Sequence, residues 1–253
     1  MACEIARLIQ LPCAEYEFGK LIDNTNQASL GIVSKSFLNR QNAEELVLGN
    51  QILGKVFQDY DQYSRYKARR YTPTLALLVF ETFATTEQDY SFLYTFIGYL
   101  VFDCLIGNTD RHHENWGIIV NGGIKIAPTF DHASGLASKV NEQEAQERLA
   151  TKDKGRCIEY FCQKAKSAFW KDSKQLRTIE VCQEIQDFGK RNSRVEKTLK
   201  EWIEKISQIS KIDLERILDK IPKELGFQEY QKCFILKFLE INTSRLKELI
   251  KRD

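Results

Sequence analysis

A long apolar helix is the feature that most constrains how this chain can fold. From Tyr90 onward the apolar residues recur at three- and four-residue spacing, which is the pattern of a buried helix. They are Phe92, Leu93, Phe96, Ile97, Leu100, Val101 and Leu105. The stretch also carries Tyr, Thr, Gly and Asp and falls well short of the about twenty apolar residues that a membrane span requires. We therefore expect a core helix, and it leads directly into the polar segment GNTDRHHENWGII.

Composition and charge leave the class of partner open. With 253 residues the chain can bury a large core, either as one domain or as two packed lobes. The 37 Lys and Arg nearly balance the 35 Asp and Glu, which argues against a dedicated nucleic-acid binder. Seven cysteines without a CxxC pair indicate reduced thiols in a cytoplasmic protein. No signal peptide is apparent, and we expect neither membrane association nor direct nucleic-acid binding.

The N-terminal part predicts a small α+β unit. The segment ACEIARLIQLP has a helical apolar face that ends at Pro12, and two strands follow on either side of the turn DNTNQ. The apolar spacing then predicts a helix over residues 42–57, and a second helix over residues 74–83. Between them, a basic cluster predicts a solvated loop; its members are Arg65, Lys67, Arg69 and Arg70.

The C-terminal part is predominantly helical by pattern. The segments WGIIV and IKIAPTF around the turn NGG predict a hairpin. After Lys139 the apolar stripes recur at helical spacing over residues 195–209, 212–221 and 228–250. We expect one continuous helical lobe there, and stripes of this kind are far more often core than ligand site.

Three polar residues have the spacing that phosphoryl transfer requires. Such transfer needs a carboxylate to orient the acceptor hydroxyl, and oxygen ligands that hold magnesium against the phosphates. Asp110 and Asn115 stand five residues apart, so one loop can present a base and a metal ligand. Asp131 follows after one hairpin, which can return it to the same place as a second hard oxygen ligand.

The neighbouring side chains have less definite roles. Arg111 either contacts phosphate or supports the loop through a salt bridge, and His112 is a candidate for the same roles. His112, His113 and Glu114 also suggest zinc, but adjacent histidines do not easily face one ion and no third ligand stands at a suitable spacing. A loop-stabilising role for the histidines is the better interpretation. Trp116 is expected to be a core anchor beneath the loop.

Together, LIGNTDRHHENWGIIV and IKIAPTFDHASGL resemble the catalytic and metal-binding loops of HipA-like C-terminal kinase domains. They are also similar to the loops of type II phosphatidylinositol 4-kinases. The resemblance is specific over residues 105–136 and looser over the whole chain. It implies that Asp110 is the catalytic base, and that Asn115 and Asp131 are ligands of Mg²⁺, with ATP as cofactor. Asp131 is followed by HAS, where ordinary protein kinases have D-F-G.

The resemblance further implies a protein-kinase-like α+β fold with a truncated N-lobe and a mainly α-helical C-lobe. Residues 1–40 would be the end of the N-lobe with the hinge, and residues 41–253 the C-lobe, with a catalytic loop at 107–116 and a metal-binding loop at 127–135. Backbone groups of a hinge from Ser34 through Lys35 to Phe37 would bind adenine. The implied activity is phosphorylation of Ser or Thr on a protein, as in the kinases of bacterial toxin–antitoxin systems.

Part of that kinase machinery is missing from the sequence. A HipA-like kinase also needs a glycine-rich loop and a strand lysine paired with a helix glutamate. No G-x-G-x-x-G occurs before residue 32, Glu4 stands about five positions too late in its helix, and neither Lys20 nor Lys35 is a credible substitute. Either the chain starts too late, or a partner chain supplies the N-lobe, or the protein is a degenerate binding module. An antitoxin is another expected partner, and the alternative functions are a phosphoinositide-type lipid kinase and an inactive nucleotide- or partner-binding module.

Overall fold

A computed structural model describes residues 1–65, 68–83 and 87–251, and this part of the chain contains ten α-helices and seven strands. The helices are α1 (Ala2–Leu8), α2 (Gly49–Val56), α3 (Pro73–Phe83), α4 (Glu87–Ile106), α5 (Glu142–Ala150), α6 (Ile158–Lys164), α7 (Thr178–Gly189), α8 (Ser193–Ser207), α9 (Lys211–Leu218) and α10 (Glu229–Lys251). The strands are β1 (Tyr16–Ile22), β2 (Ala28–Ser34), β3 (Glu45–Leu48), β4 (Gly117–Val120), β5 (Ile124–Ile126), β6 (Lys166–Lys171) and β7 (Lys174–Arg177). The α+β class and the mainly helical C-terminal body are confirmed.

Helix α4 lies at the centre of the helical body, as its apolar periodicity predicts. It packs against α3, α7, α8 and α10, and residues such as Phe96, Val101 and Phe102 are fully buried. Trp116 lies directly beneath the loop that follows, buried against Phe96, and its indole N–H donates to Tyr71 at 2.9 Å. Across the described ranges, no helix has both the length and the apolar character for crossing a bilayer.

The N-terminal unit also has the predicted elements. Helix α1 ends before Pro12, and β1 pairs antiparallel with β2 in a two-stranded sheet of its own. Residues Cys13 and Ala14, between α1 and β1, pair with Thr129, and the Ala14 N–H donates to the Thr129 carbonyl at 2.9 Å. This pairing joins the N-terminal unit to the segment that leads to Asp131.

The helix predicted over residues 42–57 is only partly correct. A short 3₁₀ helix covers Arg40–Asn42, Glu45–Leu48 is strand β3, and the α-helix begins only at Gly49. Leu46 and Leu48 fit a helical stripe, but their backbone pairs with Ile119 and Gly117 of β4. The predicted hairpin β4–β5 therefore becomes a three-stranded sheet with β3 at one edge.

The expectation of one continuous helical lobe after Lys139 is wrong at one place. Strands β6 and β7 form an antiparallel hairpin between α6 and α7. Its turn contains Asp172 and Ser173, both with positive φ, which is the conformation of tight hairpin turns. Phe169 and Leu176 anchor the hairpin in the core. Helices α8, α9 and α10 follow the predicted stripes, and α7 lies in a stretch for which no stripe is predicted.

The start of α2 is packed closely against the loop that carries the polar motif. The Gly49 N–H donates to the Trp116 carbonyl, and the Asn50 N–H donates to the His113 carbonyl, both at 2.8 Å. A Cβ atom at Gly49 would stand 2.2 Å from the Trp116 ring and 2.6 Å from the His113 carbonyl oxygen. Glycine is therefore required here for close approach of the helix to the loop.

We predict that Gly49→Ala lowers the free energy of unfolding by about 1–3 kcal/mol, because the added methyl group has no space. Urea denaturation followed by circular dichroism measures this change. Gly123→Ala is the matched control, since a Cβ at Gly123 meets no atom within 4 Å. Equal stability of the two variants would contradict the close packing of α2 on the loop.

Candidate active site

The buried side chain of Arg111 connects the two loops of the predicted site. It is 1% exposed and makes a two-pronged ion pair with Asp103 of α4, with distances of 2.7 Å from Nε to Oδ2 and 2.9 Å from Nη2 to Oδ1. Nη2 also donates to Thr129 Oγ1 at 2.7 Å, and Nη1 donates to the carbonyls of Asn115 and Phe130. One guanidinium group thus ties the loop that holds Asp110 and Asn115 to the residue preceding Asp131.

Asn115 is oriented by the backbone of Asp110. Asn115 is 4% exposed, and its Nδ2 donates to the Asp110 carbonyl at 2.8 Å. Because the amide nitrogen is engaged in this way, Oδ1 is the end left for a ligand. The Asp110 carboxylate is about one-third exposed, and its backbone N–H is held by Asn108 Oδ1 at 3.2 Å.

Asp131 adopts an uncommon backbone conformation at the edge of the N-terminal unit. Its φ is 54°, which lies in the left-handed region, and its side chain is exposed. The Asp131 N–H donates to the Tyr16 hydroxyl at 2.9 Å, so β1 helps to hold this conformation. Aspartate is one of the non-glycine residues that adopt the left-handed region most readily.

The two histidines of the loop have separate partners. His112 Nε2 lies 3.2 Å from Arg65 Nε and 3.9 Å from Asp110 Oδ1, whereas His113 Nδ1 lies 2.6 Å from the Tyr60 hydroxyl. Burial lowers the pKa of His112, and the Asp110 and Asp131 carboxylates oppose that shift. Burial also lowers the pKa of His113 to about 4. Both rings are therefore neutral packing groups near pH 7, and this arrangement favours loop support.

The two predicted acidic residues both lie near enough to His112 to affect its pKa. Asp110 and Asp131 both act on the pKa of this one ring, although they come from different loops. The hydrogen bonds agree with this placement, because Arg111 contacts the carbonyls of both Asn115 and Phe130, and Asn115 contacts the Asp110 carbonyl.

Residues 49–211, well over half of the chain, match the family described as the HipA-like C-terminal domain. The chain belongs to this family. A comparison with curated protein sequences gives no match.

Two solved structures share the fold of this HipA-like domain. The crystal structure of a Helicobacter pylori proinflammatory kinase, CtkA, matches with a TM-score of 0.76 and 20% identity, over 99% of this chain and 84% of CtkA. HipA, in a complex with HipB and operator DNA from the Shewanella oneidensis MR-1 toxin–antitoxin system, matches with a TM-score of 0.60 and 14% identity. That match covers 99% of this chain and 55% of HipA. The likeness to CtkA shows a kinase fold.

The three residues predicted to form the hinge differ in their contacts with the candidate site. Ser34 lines a cavity of about 490 Å³ together with Tyr16 and Asp131, and Phe37 stacks on Phe130 with 5.7 Å between ring centroids. The Lys35 N–H donates to the Glu15 carbonyl at 3.0 Å, and its ammonium group pairs with Glu17 at 2.9 Å. The Lys35 N–H is thus engaged within the hairpin.

Three supporting residues are not among those predicted for the site, and they are Asp103, Tyr16 and Thr129. Asp103 has a visible signal, since it is an acidic residue within the apolar stretch of α4 and is buried. Tyr16 and Thr129 act through contacts between distant segments and leave no local pattern.

In the basic loop, Arg65 also pairs with Glu114 at 3.3 Å, while Lys67 lies outside the described residues.

We predict that Arg111→Met lowers the free energy of unfolding by about 3–5 kcal/mol, because it leaves the Asp103 carboxylate buried and without its counter-ion. Urea denaturation at pH 7 measures the loss. Arg7→Met is the control, since Arg7 forms an exposed pair with Glu4 and should change stability by at most about 1 kcal/mol. A loss of similar size in both variants would mean that the Arg111 network does not hold the two loops together.

Proposed function

We propose that this protein is an ATP- and Mg²⁺-dependent Ser/Thr protein kinase of the HipA-like type. The observation that carries the proposal is the common anchoring of the two acidic loops: Arg111 binds the backbone of Asn115 and of Phe130, so that Asp110, Asn115 and Asp131 share one neighbourhood. Membership of the HipA-like family and the kinase fold agree with it.

The donor set suits Mg²⁺. Magnesium prefers oxygen ligands and is usually held by one or two carboxylates together with substrate phosphates. Asn115 would supply its amide oxygen, which the contact from Nδ2 to the Asp110 carbonyl leaves available. Asp131 would supply a carboxylate from an exposed, left-handed position. A bound Mg²⁺ would neutralise charge on the phosphates during transfer.

We propose that Asp110 acts as the base. Its carboxylate is partly exposed, so an acceptor hydroxyl can reach it, and the loop beneath it is rigidly held by Arg111 and Trp116. His112 approaches the carboxylate to 3.9 Å, but burial lowers the pKa of the imidazole, so the ring does not form a strong ion pair with Asp110. Such a carboxylate can accept the proton of a Ser or Thr hydroxyl as the phosphoryl group is transferred.

A polypeptide that supplies the rest of the N-lobe would complete the site. One face of the β1–β2 hairpin carries Phe18, Ile22, Leu30 and Ile32, and each is at least 45% exposed. The same face continues through Tyr16 and Ser34 to Asp131. Exposed apolar patches of this kind mark interaction surfaces. We propose that a sheet bearing the glycine-rich loop and the lysine covers this face, from another part of the protein or from a partner chain.

The second candidate is a non-catalytic nucleotide- or partner-binding module. The lysines of the N-terminal unit and Glu4 favour this candidate, because they are engaged elsewhere or exposed. Lys35 pairs with Glu15 and Glu17, and Lys20 lies on the exposed hairpin. Glu4 pairs with Arg7 and Lys220. None of these side chains is arranged as a lysine–glutamate pair that could bind phosphate.

By analogy with the HipA structure that contains HipB, an antitoxin is a proposed partner.

We predict different effects for the two acidic residues. Asp110→Ala should reduce phosphate transfer on the order of a hundred- to ten-thousandfold while ATP–Mg²⁺ binding persists, because only the base is lost. Asp131→Ala should abolish Mg²⁺-dependent ATP binding itself, because a metal ligand is lost. Labelling from radioactive ATP measures transfer, and calorimetric titration of ATP with Mg²⁺ measures binding.

Both assays are run on the chain alone and again with the polypeptide encoded upstream. Asp59→Ala is the control, since Asp59 is 82% exposed in the loop after α2 and should retain both properties. Unchanged labelling in Asp110→Ala would exclude the assignment of the base. ATP binding without any transfer, under both conditions, would favour the non-catalytic module.

A further inference from the structure

A second cleft opens on the side of the catalytic loop that faces α5 and α6. It has a volume of about 600 Å³ and is lined at one end by Gly107 and Thr109, directly before Asp110. Ser134 and Ser138, which follow Asp131, line it as well. An acceptor chain lying in this cleft would therefore pass beside the proposed base.

The inner end of the cleft is formed by Gly107 and by Phe238 of α10. Gly107 has a φ of 60°, and a Cβ there would stand 2.4 Å from the Phe238 ring. Phe238 in turn packs edge-on against Phe161 of α6, and Val140 belongs to the same apolar cluster. The floor of the cleft is thus rigid and apolar.

The rim of the cleft is strongly basic. Five basic residues line it, against the single acidic residue Glu144; they are Lys139, Arg148, Arg156, Lys164 and Lys166. Arg148 pairs with Glu144 at 2.7 Å, and Arg156 lies 3.4 Å from Glu147. Lys139, Lys164 and Lys166 are exposed and have no carboxylate partner within the part of the chain that the structure describes. Their charge is available to an anionic ligand.

The net charge of the whole chain gives no indication of this local excess of basic residues. Residues 139–177 contain ten basic and six acidic residues, a net charge of +4, whereas the full chain has +2. The remaining residues therefore carry a net charge of −2. A neighbouring cavity, lined by Lys164, Lys166, Lys174 and Arg177, extends the basic surface onto the β6–β7 hairpin.

The aromatic residues of the cleft favour a polypeptide over a nucleic acid. Single-stranded nucleic acids are usually held by bases stacked on open aromatic faces. Here Lys164 lies over the Tyr160 ring at 4.2 Å, and Arg148 lies over the Phe161 ring at 5.0 Å. Because these cations occupy the ring faces, the cleft offers an apolar floor with a basic rim, which suits an acidic segment that carries an apolar side chain.

We infer that this cleft binds an acidic segment of the acceptor protein, next to the Ser or Thr that reaches Asp110. The inference rests on the proposed kinase function and adds a substrate class to it. Carboxylates of the segment would pair with Lys139, Lys164 and Lys166, and an apolar residue would contact the floor formed by Phe161 and Phe238.

Binding of defined probes to the purified protein tests the inference without nucleotide. The probes are a short fluorescein-labelled peptide of Glu and Ser with one Leu, its counterpart with Lys in place of Glu, and an oligouridine RNA. Fluorescence anisotropy should show that the wild-type protein binds the acidic peptide, more weakly as salt rises. The triple variant Lys139→Gln, Lys164→Gln, Lys166→Gln should lose affinity about tenfold.

The matched control removes three exposed lysines that do not line the cleft, by Lys197→Gln, Lys211→Gln and Lys247→Gln, and should bind the acidic peptide as the wild type does. Equal binding by the two triple variants would overturn the inference, as would equal binding of the Lys peptide. Tighter binding of the RNA would overturn it in favour of a nucleic-acid site. Circular dichroism confirms that each variant is folded.

The peptide-binding test and the test of kinase activity can fail independently of each other. Asp110→Ala should bind the acidic peptide unchanged, since the base makes no part of the basic rim. Peptide binding without any phosphate transfer would contradict only the kinase activity. Phosphate transfer to a protein acceptor that is unaffected by loss of the three lysines would contradict only the assignment of the cleft.

Discussion

The buried ion pair between Arg111 and Asp103 is the interaction on which the site depends. Asp103 comes from the central helix, and Arg111 reaches from the following loop to the Asn115 and Phe130 carbonyls and to Thr129. Burying two charges is costly unless every donor and acceptor is satisfied. Here the guanidinium group is saturated by protein groups, so its role is to hold the two loops in a defined relation.

Much of the fold follows from local patterns, and the rest depends on contacts between distant segments. The apolar spacing of α4 and the stripes of α8 to α10 are sufficient to predict these helices. Residues 45–48 carry apolar side chains that fit either a helix or a strand, and only pairing with β4 decides for the strand. The β6–β7 hairpin has its own signal in the turn at Asp172 and Ser173, but helical stripes on both sides obscure it.

The candidate site likewise combines residues that local patterns predict with residues that only distant contacts bring together. The spacing of Asp110, Asn115 and Asp131 identifies residues that the structure brings into one neighbourhood, and the match to the HipA-like family confirms the resemblance. Their roles remain proposals. The contacts of Tyr16 with Asp131 and of Thr129 with Arg111, and the basic cleft beside the loop, could not be predicted, because they join segments far apart in the chain. Asp103 differs, since an acidic residue within an apolar helix is visible in the sequence. Overall charge balance also gives no indication of a local excess of lysine.

The central claim is that Asn115 and Asp131 hold a divalent cation against the phosphates of ATP. Anomalous scattering from Mn²⁺ in crystals grown with ATP, together with any N-lobe polypeptide that binds the β1–β2 hairpin, tests it most directly. The account predicts a metal peak within about 2.1 Å of Asn115 Oδ1 and of an Asp131 carboxylate oxygen. A nucleotide-bound Mn²⁺ at any other place, or Asn115 and Asp131 side chains that point away from the phosphates, would contradict it.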